Sequence, residues 1–286
     1  MRTSKLLVLV IIVTACLATV HAQEKPKQPG AKPLYDKAYK LFMEAKWKQA
    51  IENFDKAVAS DSTFSLAWCY KGSSLLELEQ YSEALEVFDS ALKIQSKSIY
   101  ALTGKANALR GVGKSEEADF LLTEATQLTP ADAFELYARG LAFYFKRQYQ
   151  SAIADFTAAV KTQPTYAEAY YNRGCAHAQQ SEFSEAINDF GLAIHADPNC
   201  AQAYYNRGAV RNLRSEYTQA VGDFTSAIKI NPDLAVAYYG RGQAYAYQQD
   251  YKSARSDWEK TLKLSPNTKV ARSAQKNLDR LKSMGY

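Results

Sequence analysis

The chain has 286 residues, with 35 Lys and Arg against 30 Asp and Glu, for a formal net charge of +5. Apolar residues at 47% and charged ones at 23% exclude wholesale disorder and polytopic membrane insertion. So slight a positive charge gives no basis for a nucleic-acid partner, and four cysteines are too few for a disulfide scaffold of this length.

The first segment, residues 1–22, reads as an export signal. Arg2 and Lys5 precede an uncharged, mostly apolar run from Leu6 to Val20, and Val20-His21-Ala22 places small residues three and one before a cut ahead of Gln23. The run is shorter than the ~18 residues that span a bilayer. A second reading stays open: Val13-Thr14-Ala15-Cys16 is similar to a bacterial lipobox, which would make 1–15 a lipoprotein signal, lipidate Cys16 and tether the chain to a membrane. Either way the chain is exported, to the periplasm or outside the cell. Residues 23–30 open a Pro- and Lys-rich linker without apolar periodicity.

From residue 31 the chain repeats itself every 34 residues. Tyr170–Gly174 and Tyr204–Gly208 both read YYNRG, and YYGRG follows at Tyr238–Gly242. The step yields seven gapless blocks: 31–64, 65–98, 99–132, 133–166, 167–200, 201–234 and 235–268. Position 20 of every block is Ala, from Ala50 to Ala254. Position 24 is aromatic (Phe54, Phe88, Phe156, Phe190, Phe224, Trp258) except for Leu122, and position 8 is Ala or Gly throughout. Position 32 is Pro in the last five blocks but Ser62 and Ser96 in the first two, so the N-terminal end is expected to be the least regular part. Within a block, Ala220, Phe224 and Ala227 lie at i, i+4 and i+7, one stripe of a helix, and Pro at position 32 stops it. Each block therefore predicts two helices, with the small residue at position 8 admitting the facing helix at its position-20 Ala. Residues 269–286 predict a capping helix in which Val270, Ala274, Leu278 and Leu281 form the apolar face.

These features resemble the tetratricopeptide repeat (TPR) family over residues 31–268. The resemblance implies an all-α, right-handed solenoid of seven helix-turn-helix repeats closed by the C-terminal capping helix. It also implies a concave groove lined by first helices, facing which are positions 2, 5, 6, 9, 12 and 13. In this chain those positions give Tyr137, Tyr171, Tyr205 and Tyr239 (position 5), Asn172 and Asn206 (position 6), and Gln243 (position 9) as candidate peptide-binding residues. Tyrosine offers an apolar ring with a polar tip, and carboxamides both donate to and accept from a peptide backbone.

A second pattern is internal. Position 7 is Arg139, Arg173, Arg207 and Arg241 in blocks 4 to 7, and position 23 in the same blocks is Asp155, Asp189, Asp223 and Asp257. An arginine on a helix seam needs a carboxylate, so four structural ion pairs are expected. Blocks 1 to 3 instead carry Lys37, Lys71 and Lys105 opposite Asn53, Val87 and Leu121.

No catalytic or metal-ligating constellation is present: His177 and His195 have no HExxH or Cys-x-x-Cys spacing near them, and no GxxxxGK[ST], GxGxxG or GxSxG occurs. His177 falls on a packing stripe. Cys69, Cys175 and Cys200 are expected to remain thiols. The sequence thus reads as a non-enzymatic scaffold without cofactor or metal, binding a protein or extended peptide and no nucleic acid, and meeting a membrane only if lipidated. A structural or self-associating envelope component is the second reading, and the oligomeric state is left open.

Overall fold

A computed structural model describes residues 26–286; the export signal, Cys16 and the start of the linker lie outside them. Among the described residues there are fifteen α-helices and no strand. They run α1 (Ala31–Met43), α2 (Trp47–Ser60), α3 (Ser65–Glu77), α4 (Tyr81–Ile94) and α5 (Ile99–Gly111). Then follow α6 (Ser115–Gln127), α7 (Ala133–Phe145), α8 (Tyr149–Thr162), α9 (Ala167–Gln179) and α10 (Phe183–Ala196). The last five are α11 (Ala201–Leu213), α12 (Tyr217–Ile230), α13 (Ala235–Tyr247), α14 (Tyr251–Leu264) and α15 (Lys269–Ser283). Odd-numbered helices are first helices and even-numbered ones second helices. No described helix is long and apolar enough to cross a membrane.

The described residues fall into two compact units, 26–176 and 177–286, divided within α9. In the N-terminal unit each helix from α1 to α8 packs on the next, and α1, α3, α5 and α7 also touch in succession. The C-terminal unit repeats the scheme through α10 to α15, with α11, α13 and α15 in succession. First helices therefore line the inner side of each stack.

The core of each block centres on position 24, a ring in six blocks and Leu122 in the third. Phe54, Phe88, Phe156, Phe190, Phe224 and Trp258 are all buried. A Cβ added at Gly72 would sit 2.7 Å from the Phe88 ring, and one at Gly140 2.6 Å from Phe156. At Gly208 it would meet Phe224 at 3.1 Å, and at Gly242 the Trp258 indole at 2.7 Å. Position 8 thus makes room for the ring of its own block; the ring, rather than the expected Ala220, is the first atom group that a larger residue at 208 meets. The next block closes the other side. Added Cβ atoms at Gly104 and Gly240, both position 6, would lie 2.3 Å from Phe88 and 2.7 Å from Phe224. Each of these two rings is held between glycines of successive first helices.

The turn between helices is equally regular. In every block the residue at position 16 donates its N–H to the carbonyl five residues back, as in Gln80 to Leu75, Gln148 to Phe143 and Asp250 to Tyr245. This closure requires a left-handed residue at position 15. Gly113 supplies it at φ +84°, but Ala45, Glu79, Arg147, Ser181, Ser215 and Gln249 adopt it at φ between 55° and 66°.

The N-terminal end is not the irregular part. Its helices α1 to α4 alternate 13 and 14 residues like those of the later blocks, whereas α6 stops at 13 and its C-cap Leu128 sits at φ −76°, where the C-caps of the other second helices lie between −127° and −143°. Asp61 further orders the start: its carboxylate accepts from the backbone N–H of Lys27 (2.5 Å) and Gln28 (3.0 Å) and from the Thr63 hydroxyl (2.7 Å). The Thr63 hydroxyl, and then these backbone donors, hold its carboxyl below the ordinary aspartate value. At the other end α15 caps the stack through buried Ala274 and Leu281, with Val270 and Leu278 half-buried and Lys269, Arg272, Lys276, Arg280 and Lys282 exposed.

Four outcomes are expected. Phe224→Ala should cost about 3–5 kcal/mol in chemical denaturation, as for other buried aromatics. Gly208→Leu should cost about 1–3 kcal/mol, but clearly less in the Phe224→Ala background, because the ring it collides with is gone; additive losses would count against the packing. At the turns, Gly113→Ala should lose about 1 kcal/mol, since an alanine pays for a left-handed φ. Arg147→Gly should gain about 0.5 kcal/mol, the relieved strain slightly exceeding the extra chain entropy of glycine. Paired melting curves check both signs.

Candidate functional site

The expected groove residues divide into packing residues and half-open ones. Tyr137 and Tyr171 are 3% and 0% exposed. Tyr137 lies 5.9 Å from Phe156 and 5.0 Å from Tyr166, ring to ring, so it extends the core of its own block. Tyr35 meets Phe54 and Tyr205 meets Phe224 at the same 5.9 Å. Tyr205 and Tyr239 are half-buried. Burial pushes the Tyr205 hydroxyl up to about 12, with the neighbouring Tyr239 adding to it. Tyr239 is raised by burial as well, and hydrogen bonds to Asn277 and Ser273 of α15 partly offset this.

Asn172 and Asn206 correct the sequence reading most clearly. They were expected to face solvent, and they are 0% and 1% exposed. The reason is the seam already described: position 6 is where Gly104 and Gly240 press on the ring of the preceding block. Asn172 Nδ2 donates to the Tyr137 hydroxyl of the preceding first helix (3.2 Å) and to the Glu168 carbonyl (3.0 Å). Gln243 is half-buried on α13 and donates to the Tyr239 hydroxyl at 3.3 Å.

Three of the four expected arginine pairs lie within a single unit, and all three form. Arg139 grips Asp155 with Nε and Nη2 at 2.7 and 2.8 Å, and Arg241 grips Asp257 at 2.8 Å twice. The bonds to these aspartates raise both guanidinium pKa values further. Arg207 meets Asp223 in the same way, and Arg211 adds a 2.6 Å contact to the other oxygen. Arg173 and Asp189 fall in different units: Arg173 donates to Thr157 (3.1 Å), while the His177 ring, 2.6 Å from Glu182, approaches Asp189 at 3.7 Å. Each arginine of blocks 5 to 7 also lies over the tyrosine three residues before it, 5.4–5.6 Å from the ring centre. Blocks 2 and 3 solve the same problem across the seam. Lys71 pairs with Asp55 at 2.6 Å and Lys105 with Asp89 at 2.5 Å, each the position-25 residue of the preceding block. Comparison of positions 7 and 23 alone missed this, because the partner belongs to another repeat.

Two cavities open beside first helices. One, of about 280 Å³, lies in the N-terminal unit between α3, α5 and α7, with Leu66, Cys69, Tyr100 and Phe134 among its walls. The other, of about 250 Å³, lies in the C-terminal unit where α13, α14 and the cap meet; Gln243, Tyr247, Trp258, Asn277 and Arg280 contribute to it. Of these residues the sequence singled out Gln243 alone, by its position 9; Tyr247 at position 13 carried the same signal. Cys69, Cys175 and Cys200 are buried and form no disulfide among the described residues, and among the described residues no group of His, Cys, Asp and Glu is arranged to hold a metal ion.

The tetratricopeptide repeat sequence pattern matches residues 35–99, 137–197 and 174–235, and a second form of it matches 235–268. The chain belongs to the tetratricopeptide repeat family. No curated protein matches it significantly. Among solved structures it is similar to the APC/C hetero-tetramer Cut9-Hcn1, with a TM-score of 0.65 and 16% identity over 85% of this chain and 47% of that one. It is also similar to a human IFIT1 dimer with PPP-AAAA, with a TM-score of 0.72 and 14% identity over 88% and 63%. A tetratricopeptide repeat protein from Parabacteroides merdae gives a TM-score of 0.55 and 20% identity over 86% and 97%. The chain thus spans about half the length of the first and under two thirds of the second. At these identities the likeness is one of fold, and the TPR repeats support a protein-interaction scaffold.

The TPR seam yields a direct test. Asp223, with a side chain 5% exposed, serves two guanidiniums. Asp223→Ala should therefore cost about 3–5 kcal/mol, because Arg207 and Arg211 lose their carboxylate while still largely enclosed. Adding Arg207→Leu should recover part of that loss. A double-mutant cycle with no coupling would show that the contact carries no net energy.

Proposed function

We propose that this TPR protein is a non-enzymatic scaffold, exported from the cytoplasm, that holds an extended segment of a partner protein along its first-helix face. The observation that carries the reading is the placing of the cavities. Both open among first-helix residues, one on α3, α5 and α7 and one on α13 beside the cap. Those helices form the inner side of their stacks. In the C-terminal unit, Tyr247 is 63% exposed next to half-buried Gln243 and Tyr239, an aromatic anchor beside a carboxamide. Such a surface suits a largely uncharged peptide backbone better than a strongly ionic ligand. Export rests on the charged start, apolar run and small-residue cut of residues 1–22.

The test is partner capture on the chain starting at Gln23, with Gln243→Ala and Tyr247→Ala combined. Binding should weaken by about 1–3 kcal/mol, through a lost anchor and unpaired peptide groups, while melting temperature and mass by light scattering stay the same. Undiminished capture would overturn the reading, and a change in mass instead of capture would favour the self-associating component. N-terminal sequencing of the exported protein should find Gln23; a lipidated Cys16 would establish a membrane tether.

A further inference from the structure

Resting on the scaffold reading, we infer that the cavity between α3, α5 and α7 is a selective pocket for one apolar side chain of the partner, followed by a basic one. The cavity arises where the repeat departs from its own rule. Position 5 is tyrosine in five of the seven blocks, and Tyr35 and Tyr137 use it to cover the ring of their block. Blocks 2 and 3 carry Cys69 and Thr103 instead. Thr103 is absorbed by a hydrogen bond to the Ala138 carbonyl at 3.3 Å. Cys69 is a side chain without a ring, and it stands in the wall of the 280 Å³ cavity.

The other walls have changed in step. Position 2 is Lys32, Glu168, Gln202 or Val236 elsewhere, but Leu66, Tyr100 and Phe134 in the three consecutive blocks that bound the cavity. Tyr100 and Phe134 stack at 4.5 Å, and the Tyr100 hydroxyl is tied to Ser73 at 2.7 Å, so this wall is fixed before any ligand arrives. A fixed recess of this volume, with Leu66, Cys69, Tyr100 and Phe134 as its apolar side and Ser65, Gln95 and Ser98 among its polar walls, takes a leucine- or phenylalanine-sized side chain with little ordering cost.

The charge around it has one sign. Asp132 and Glu135 line the cavity, and no lysine, arginine or histidine does. Each spends one oxygen on the start of α7: Asp132 accepts from the Glu135 N–H at 2.9 Å, and Glu135 from the Ala131 N–H at 2.8 Å. Two carboxylates beside the recess complement a lysine or arginine next to the inserted residue and repel an acidic one.

The experiment uses the chain from Gln23 and a fluorescein-labelled probe, Ser-Gly-Ser-Leu-Lys-Ser-Gly-Ser, read by anisotropy. Replacing leucine by alanine in the probe, or lysine by glutamate, should each weaken binding about tenfold. Cys69→Tyr, which restores the residue that other blocks accommodate, should abolish the preference for leucine over alanine while leaving the melting temperature unchanged or higher. Should that variant fail to fold, Asp132→Asn serves: asparagine keeps the helix cap, so the fold persists while the preference for lysine over glutamate falls about tenfold. A probe that does not bind, equal binding of the leucine and alanine probes, or an undiminished lysine preference in Asp132→Asn overturns the pocket. Partner capture that persists in Cys69→Tyr but is lost with Gln243→Ala and Tyr247→Ala would leave the scaffold reading standing without this pocket.

Discussion

The structure depends on one recurring constraint: a buried side chain at position 24, a ring in six of the seven blocks, which the first helix of its own block approaches through a glycine or alanine at position 8. Phe88 and Phe224 each lie between a position-8 glycine of their own block and a position-6 glycine of the next. That contact sets the distance inside a block and between blocks at once, which is why a 34-residue period can run through both units without an insertion. A helix pair taken alone would leave one side of its ring in water, so stacking creates the core. The polar seam follows from it. Once the helices are this close, position 7 is enclosed beside position 23 of its own block and position 25 of the block before. An arginine or lysine there needs an acid within reach, and blocks 4, 6 and 7 place it at position 23 whereas blocks 1 and 2 offer theirs at position 25 to the following lysine.

Much of this was legible because it is periodic. Seven alanines at position 20, the aromatic at 24 and the proline at 32 are enough to place every helix, and the joint change of positions 7 and 23 reveals the pairs of Arg139, Arg207 and Arg241. Three things were hidden for a common reason. The pairing of Lys71 with Asp55, the burial of Asn172 and Asn206, and the irregular exit of α6 are all decided between blocks, whereas the pattern was read within one. The substitution of glycine for asparagine at position 6 in blocks 3 and 7 was the available signal. In those two blocks a Cβ would strike the ring of the preceding block, which marks a tight seam there and not an open groove.

The position-15 turn was missed differently. Its residue types, from Ala45 to Gln249, share no chemistry, and what they share is a backbone angle. Only Gly113 announces that angle in its side chain. The candidate site behaves likewise: cavities form where a regular contact is omitted, as at Cys69, and an omission is visible in sequence only after the rule it breaks has been established.

The reach of the contacts has a further consequence. Among the described residues the side-chain hydrogen bonds of the N-terminal unit reach 35 residues along the chain, as in Thr103 with Ala138 and Arg110 with Phe145, and those of the C-terminal unit 31, as in Arg255 with Tyr286. No strand has to find a distant partner, so the loops closed during folding stay near the size of one repeat, and chains with such short-range contacts acquire structure quickly. The same locality governs loss of structure. A terminal helix pair is secured on one side only, and it opens without disturbing blocks further along, so protection from solvent exchange should grade along the stack instead of collapsing at once. The cap helix α15, closing the last apolar face with Ala274 and Leu281, is the element on which that gradient at the C-terminal end hangs.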